Sequence, residues 1–178
     1  MMKTAIFSYS LTGNNARYAS HLANALDAEH VVITTEQPVT NGTITLDMIL
    51  HRKPKINLAA DAFARYDRVL LVAPVWLGQV AFPLRRCLDM LRKSRCSYGF
   101  LSVSGGADSN NPKLSDELTK RAGRAPLFVL DQHIRTLLPA EPTPTRDDTS
   151  NYVLTDADCE HFGRIALEQI HASFPVAN

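Results

Sequence analysis

Short apolar runs alternate with stretches of helical periodicity along most of the chain. Thr4-Ala5-Ile6-Phe7 predicts a strand over about 3–8, and Ala16, Ala19, Leu22, Ala23 and Leu26 predict a helix over about 14–27. Val31-Val32-Ile33 reads as a second strand. Arg68-Val69-Leu70-Leu71-Val72-Ala73 is apolar without alternation, the pattern of a strand buried on both faces of a parallel sheet. The stripe Leu84, Cys87, Leu88 and Leu91 predicts a helix over about 80–93, with Pro83 in its first turn. A fourth strand is expected from Tyr98 to Val103, a helix over about 112–122, and a fifth strand from Ala125 to Leu130. Thr155 caps a final helix over about 156–173, whose stripe is Phe162, Ile165, Ala166, Gln169 and Ile170.

Two stretches interrupt this order. Residues 36–60 carry Pro38, Asn41-Gly42 and Pro54 around the ambiguous apolar island Leu46–Leu50, and a weak helix is expected over about 58–65. Residues 132–154, with Pro139, Pro142 and Pro144, read as an irregular excursion. The five alternations predict an α/β fold, a doubly wound three-layer sandwich around a five-stranded parallel sheet of order 2-1-3-4-5. The whole chain, 1–178, is expected to form one such domain.

Composition changes this picture little. Apolar residues make up 45% and charged residues 21% of the chain, ordinary for a globular domain. A formal net charge of +1 gives no warrant for a nucleic-acid partner. No cationic apolar leader or long apolar run is present, so no membrane span is expected and a cytoplasmic location is. Cys87, Cys96 and Cys159 have no metal-like spacing, and an odd, sparse count fits a reducing compartment.

The chemistry concentrates in the loops that follow strands 1, 3 and 4. Ser8-Tyr9-Ser10-Leu11-Thr12-Gly13-Asn14-Asn15 turns from a strand into a helix and leaves backbone N–H groups at the positive end of the helix dipole. No Lys follows Gly13 as a P-loop requires, and the three glycines of a dinucleotide fingerprint are missing. The loop has no Cys nucleophile of the phosphatase type. It also lacks the acidic residues with which a receiver domain holds a divalent cation. An uncharged cradle remains, suited to a phosphate monoester that is held and not transferred. Alternatively, the loop is an ordinary strand–helix turn capped by Thr12.

In a sheet of this order, ligands bind outside the carboxyl ends of the strands where the winding reverses, between strands 1 and 3. Pro74-Val75-Trp76-Leu77-Gly78 emerges there, and Ser104-Gly105-Gly106-Ala107-Asp108 leaves strand 4 on the same edge. Trp76 is the only Trp and is placed to lie over a flat aromatic ligand; packing under a loop or at a subunit contact is the competing role. Asp108 is expected to cap the next helix. His133 is treated as incidental, and the cluster Arg85, Arg86, Arg92, Lys93 and Arg95 as mostly a solvated face.

Ser10-x-Thr12-Gly13-Asn14 resembles the phosphate-binding loop of the flavodoxin superfamily, whose ligand is flavin mononucleotide (FMN), although Asn15 stands where that family usually has Thr. Pro74-x-Trp76-x-Gly78 resembles the second flavin-contacting loop of flavodoxin-like quinone and flavin reductases. Ser104-Gly105-Gly106 resembles the third. The resemblance implies an FMN site built from Ser10, Leu11, Thr12, Gly13, Asn14, Asn15, Pro74, Val75, Trp76, Leu77, Gly78, Ser104, Gly105 and Gly106. The flavin carries the chemistry, so no protein side chain is named as catalytic. One-electron flavodoxins are typically acidic, and this chain is not. The resemblance therefore implies an oxidoreductase passing electrons from NAD(P)H through FMN to a quinone or other small acceptor. The alternatives are a one-electron carrier and a partner-binding module without flavin. The excursion at 132–154 is long enough to cover the flavin or to mediate a homodimer contact.

Overall fold

The computed structural model of the chain describes residues 2–105 and 111–174. Five parallel strands form the central sheet: β1 (Thr4–Ser8), β2 (Glu29–Val32), β3 (Arg68–Val72), β6 (Ser97–Ser104) and β7 (Val129–His133). Their spatial order is β2-β1-β3-β6-β7, the expected 2-1-3-4-5 arrangement. Two further strands, β4 (Val75–Trp76) and β5 (Gln79–Val80), form a separate antiparallel hairpin. The helices are α1 (Asn14–Leu26), α2 (Asn41–Ile49), α3 (Pro83–Arg92), α4 (Leu114–Ala122), α5 (Arg146–Ser150) and α6 (Asp156–Ser173), with a 3-10 turn at Ile134–Leu137.

The unbroken apolar strands have the cause inferred from their sequence. Ala5, Phe7, Val69 and Leu71 point into a core shared with α3 and α4, while Ile6, Leu70 and Val72 point into a second core shared with α1 and α6. Burial on both faces leaves no room for a polar alternate. α1 packs on α6, and the approach is close: a Cβ at Gly163 would stand 2.6 Å from the His21 ring.

Several boundaries depart from the periodicity. The island Leu46–Leu50 lies in and just after α2, whereas 58–65 forms turns and no helix. The fifth strand begins four residues later than Ala125. Its polar Gln132 is buried because its amide accepts from the Tyr18 hydroxyl (2.5 Å) and donates to the Phe162 carbonyl (3.1 Å). On α6, Ile165 and Gln169 are exposed, and Cys159 and Gly163 are buried in their place. Arg85 is not on a solvated face. It is fully buried, and its guanidinium donates to the carbonyls of Asp47, Met48 and Arg52 and to Gln79 Oε1.

Candidate functional site

The carboxyl ends of β1 and β3 are level, since Ser8 pairs with Val72, and β6 continues three residues further to Ser104. β1 winds outward to β2 and β3 winds the other way, so a crevice opens between them. There the loops after β1, β3 and β6 line one cavity of about 840 Å3. That volume lies in the range of about 300–1,000 Å3 typical of small-molecule sites.

At the first loop, Gly13 is the N-cap of α1 with φ +97°, a backbone conformation that favours glycine. Thr12 is therefore not the cap. No side chain caps the helix; the Gly13 N–H turns back to Ser10 Oγ at 3.0 Å. The N–H groups of the first helical turn are left for a ligand, and the exposed Thr12 hydroxyl has no partner among the described residues.

Asn14 and Asn15 do different work from that implied by the resemblance. Asn15 Nδ2 donates to the Val103 carbonyl, and its Oδ1 accepts from the Val103 N–H, both at 2.9 Å. Asn14 does the same to the 152–154 segment, donating to Tyr152 O at 2.7 Å and accepting from Leu154 N at 3.0 Å. Both residues line the cavity, and both amides brace its walls, which leaves each side chain one N–H beside its main-chain donor. Sequence spacing cannot reveal this, because the partners lie 88 and 138 residues away.

The second loop is the β4–β5 hairpin, turning through Leu77 (φ +51°) and Gly78 (φ +74°). Positive φ at both central residues is the type I′ pattern of tight hairpins, and it is strained for a leucine. Leu77 nonetheless stands 65% exposed at the cavity. Trp76, half-buried, lines the cavity while its ring meets Tyr9 edge-on at 5.9 Å and Phe82 at 5.5 Å. It thus has both roles, wall of the cavity and packing element. Burial raises the Tyr9 phenol to about 12, so the contact to Trp76 stays uncharged at neutral pH.

From the third loop, Ser104 and Gly105 line the cavity; Gly106 and Asp108 lie outside the described residues. Leu11, Thr12, Asn14, Asn15, Pro74, Val75, Leu77 and Gly78 also line it, whereas Ser10 and Gly13, bonded to each other, do not.

Three further groups line the cavity: His133, set aside from sequence as incidental; α2, which sequence did not place here; and part of the 132–154 stretch, read as able to cover a flavin. His133 ends β7 at the cavity, with Nδ1 3.0 Å from Ser104 Oγ and Nε2 3.7 Å from Asp131 Oδ2. Asp131 in turn accepts from Asn111 Nδ2 at 2.6 Å. β7 runs on to His133, so this polar corner ends the strand at the cavity. Ile44 and Thr45 of α2 form another part of the wall, and Arg146, Thr149, Ser150 and Asn151 of the 132–154 stretch a third. That stretch is built firmly: Thr145 and Asp148 form a reciprocal cap on α5, and the buried Thr149 hydroxyl donates to the Gly105 carbonyl. Among the described residues, no cluster of His, Cys, Asp and Glu could hold a metal, and no helix is long and apolar enough to cross a membrane.

No family model and no curated protein matches the sequence. Solved structures do match. A flavoprotein from Lactobacillus acidophilus, crystallised in complex with FMN, matches with a TM-score of 0.64 at 25% identity, over 74% of this chain and 94% of its own. A flavodoxin from the domain Archaea matches at 0.54 and 15% identity, over 96% of this chain and 98% of its own. A flavodoxin of Streptococcus pneumonia matches at 0.51 and 13% identity, over 95% and 98%. The architecture is that of an open, doubly wound α/β protein with a cavity at the switch point. The chain has the flavodoxin-like fold.

Proposed function

We propose that this cavity binds FMN and that the protein passes electrons from NAD(P)H through it to a quinone or other small acceptor. The carrying observation is convergence. One cavity has an uncapped helix N-terminus in one wall and Trp76 in another, with no carboxylate among its described lining residues. A phosphate monoester fits the first, and a flat ring system fits the second. The FMN in the Lactobacillus structure supports the choice of ligand.

When bound, FMN supplies the redox chemistry; the chain holds and orients it. The N–H groups of the first α1 turn and the Thr12 hydroxyl are the donors for phosphate. Trp76 and Leu77 border the ring, and packing against Tyr9 and Phe82 holds the Trp76 indole in place. The net charge of +1 supports a small-molecule acceptor, since it provides no acidic field to steer the chain to a basic protein partner.

Titration with FMN and a melting curve test the ligand. Saturation at ~100 times the dissociation constant should stabilise the fold by roughly 2.7 kcal/mol. A melting temperature indifferent to FMN rules the flavin out and leaves the binding module. NAD(P)H oxidation with a benzoquinone tests the reaction. Turnover with neither nucleotide assigns the protein as a one-electron carrier.

A further inference from the structure

Phosphate in the proposed site carries close to two negative charges, yet the first loop has no cation to meet them. The nearest basic residue in sequence is already engaged: Arg17 donates to the Leu154 carbonyl at 2.7 Å and pairs with Asp156 at 3.4 Å. The two amides that spacing would assign to a phosphate, those of Asn14 and Asn15, are held by backbone groups. Only one formally charged side chain stands among the described residues that line the cavity, and it comes from the opposite end of the chain. It is Arg146, the first residue of α5.

Its placement follows from contacts on both sides. Downstream, Tyr152 and Leu154 are clasped by Asn14 at the start of α1, so the chain leaving α5 is fastened to the first loop. The Thr149 hydroxyl donates to the carbonyl of Gly105 in the third loop and lies 3.0 Å from the Arg146 carbonyl at the start of α5. Backbone approach there is tight, with a Cβ at Gly105 3.1 Å from the Thr149 carbonyl. α5 is thereby fixed between the first and third loops. The Arg146 guanidinium itself is exposed and makes no hydrogen bond or ion pair with any described residue.

We propose that Arg146 supplies the counter-charge for the phosphate of the bound flavin, so that the cavity selects FMN over riboflavin. The proposal rests on the FMN assignment above. It gives the 132–154 stretch a binding role: α5 carries to the site the charge that the first loop lacks. A guanidinium suits the task because its planar fork matches phosphate oxygens and it is always protonated.

The test is a titration of the full chain with FMN and, separately, with riboflavin, followed by flavin fluorescence at low and high salt. Arg146→Gln should weaken FMN by about tenfold, as expected for loss of a charge-assisted hydrogen bond, and riboflavin by less than about twofold. Arg146→Lys should recover part of the loss. The wild-type preference for FMN should shrink with salt, and the Gln variant's preference should respond less. The side chain is exposed, so an unchanged melting temperature without ligand confirms an intact fold. Equal loss for both flavins overturns the proposal by moving Arg146 to the ring or ribityl. Unchanged FMN affinity with weakened binding of NADPH overturns it in favour of a nucleotide contact. Wild-type protein that binds neither flavin removes the underlying assignment itself.

Discussion

Removing the Asn15 amide would leave both the N–H and the carbonyl of Val103 unpaired at a buried strand end. Each such group costs about 1–3 kcal/mol, so Asn15→Ala should destabilise the fold by roughly 2–6 kcal/mol in urea unfolding. Asn15→Thr should lose a similar amount, because one hydroxyl cannot donate and accept across the same two atoms with the amide's geometry. A loss under about 0.5 kcal/mol would show that the clasp is dispensable. The same residue shows the limit of motif reading. Ser10-x-Thr12-Gly13-Asn14-Asn15 was legible as a strand–helix turn with open N–H groups, and that is how it is built. What those side chains do was not legible, since Asn14 and Asn15 line the cavity with amides tied to partners contributed from β6 and the segment before α6. Thr12 is the opposite case: free of any capping duty, its hydroxyl remains for a ligand.

Among the elements, β2 is the edge of the sheet and carries a titratable group inward. His30 Nε2 lies 2.8 Å from the hydroxyl of the fully buried Ser8 on β1, and burial holds the imidazole below its ordinary value of 6.5. The unfolded chain therefore takes up a proton before the folded one does. Stability from this group is fully present above about pH 6.5 and is lost as pH falls from there through the lower folded value. Thermal melts between about pH 7.5 and 5 should show this decline, and His30→Gln should flatten it. Identical slopes in the two proteins would assign the acid sensitivity to other groups. Element prediction from sequence succeeded where the period was strong. α6 matches 156–173, and Thr155 caps it through Asp158. It failed at β7, where the apolar run Leu127–Leu130 suggested a strand too early. The actual strand takes in Asp131 and Gln132, which only tertiary partners make acceptable in a sheet.

Across the whole molecule, the cavity depends on elements that meet far from it. Buried Arg85 on α3 joins the carbonyl end of α2 to the side chain of Gln79 in the hairpin, and α2 and the hairpin both contribute wall residues. Arg85→Met keeps volume but strands the Arg52 carbonyl and Gln79 Oε1, whereas the Asp47 and Met48 carbonyls keep their backbone donors. It should lower stability by roughly 2–4 kcal/mol and weaken flavin binding as well, although Arg85 does not line the cavity. Stability lost with unchanged affinity would show that α2 and the hairpin are held independently. Asn14 has the corresponding role on the other side, tying α1 to the segment that follows α5. The two clasps explain how stretches as irregular in sequence as 36–60 and 132–154 become walls of the site.

The sequence by itself determined the five-stranded alternation, the two-sided burial of β1 and β3, and three loops gathered on one sheet edge. These follow from local period, turn chemistry and the handedness of crossovers, all of which are encoded within a few neighbouring residues. Tertiary structure alone decided which side chains of those loops face the cavity, that α2 and α5 complete it, and that Arg146 is its single formal charge among the described residues. The physical reason is that a buried amide or guanidinium must find partners wherever the fold brings them. Here those partners lie up to 140 residues away.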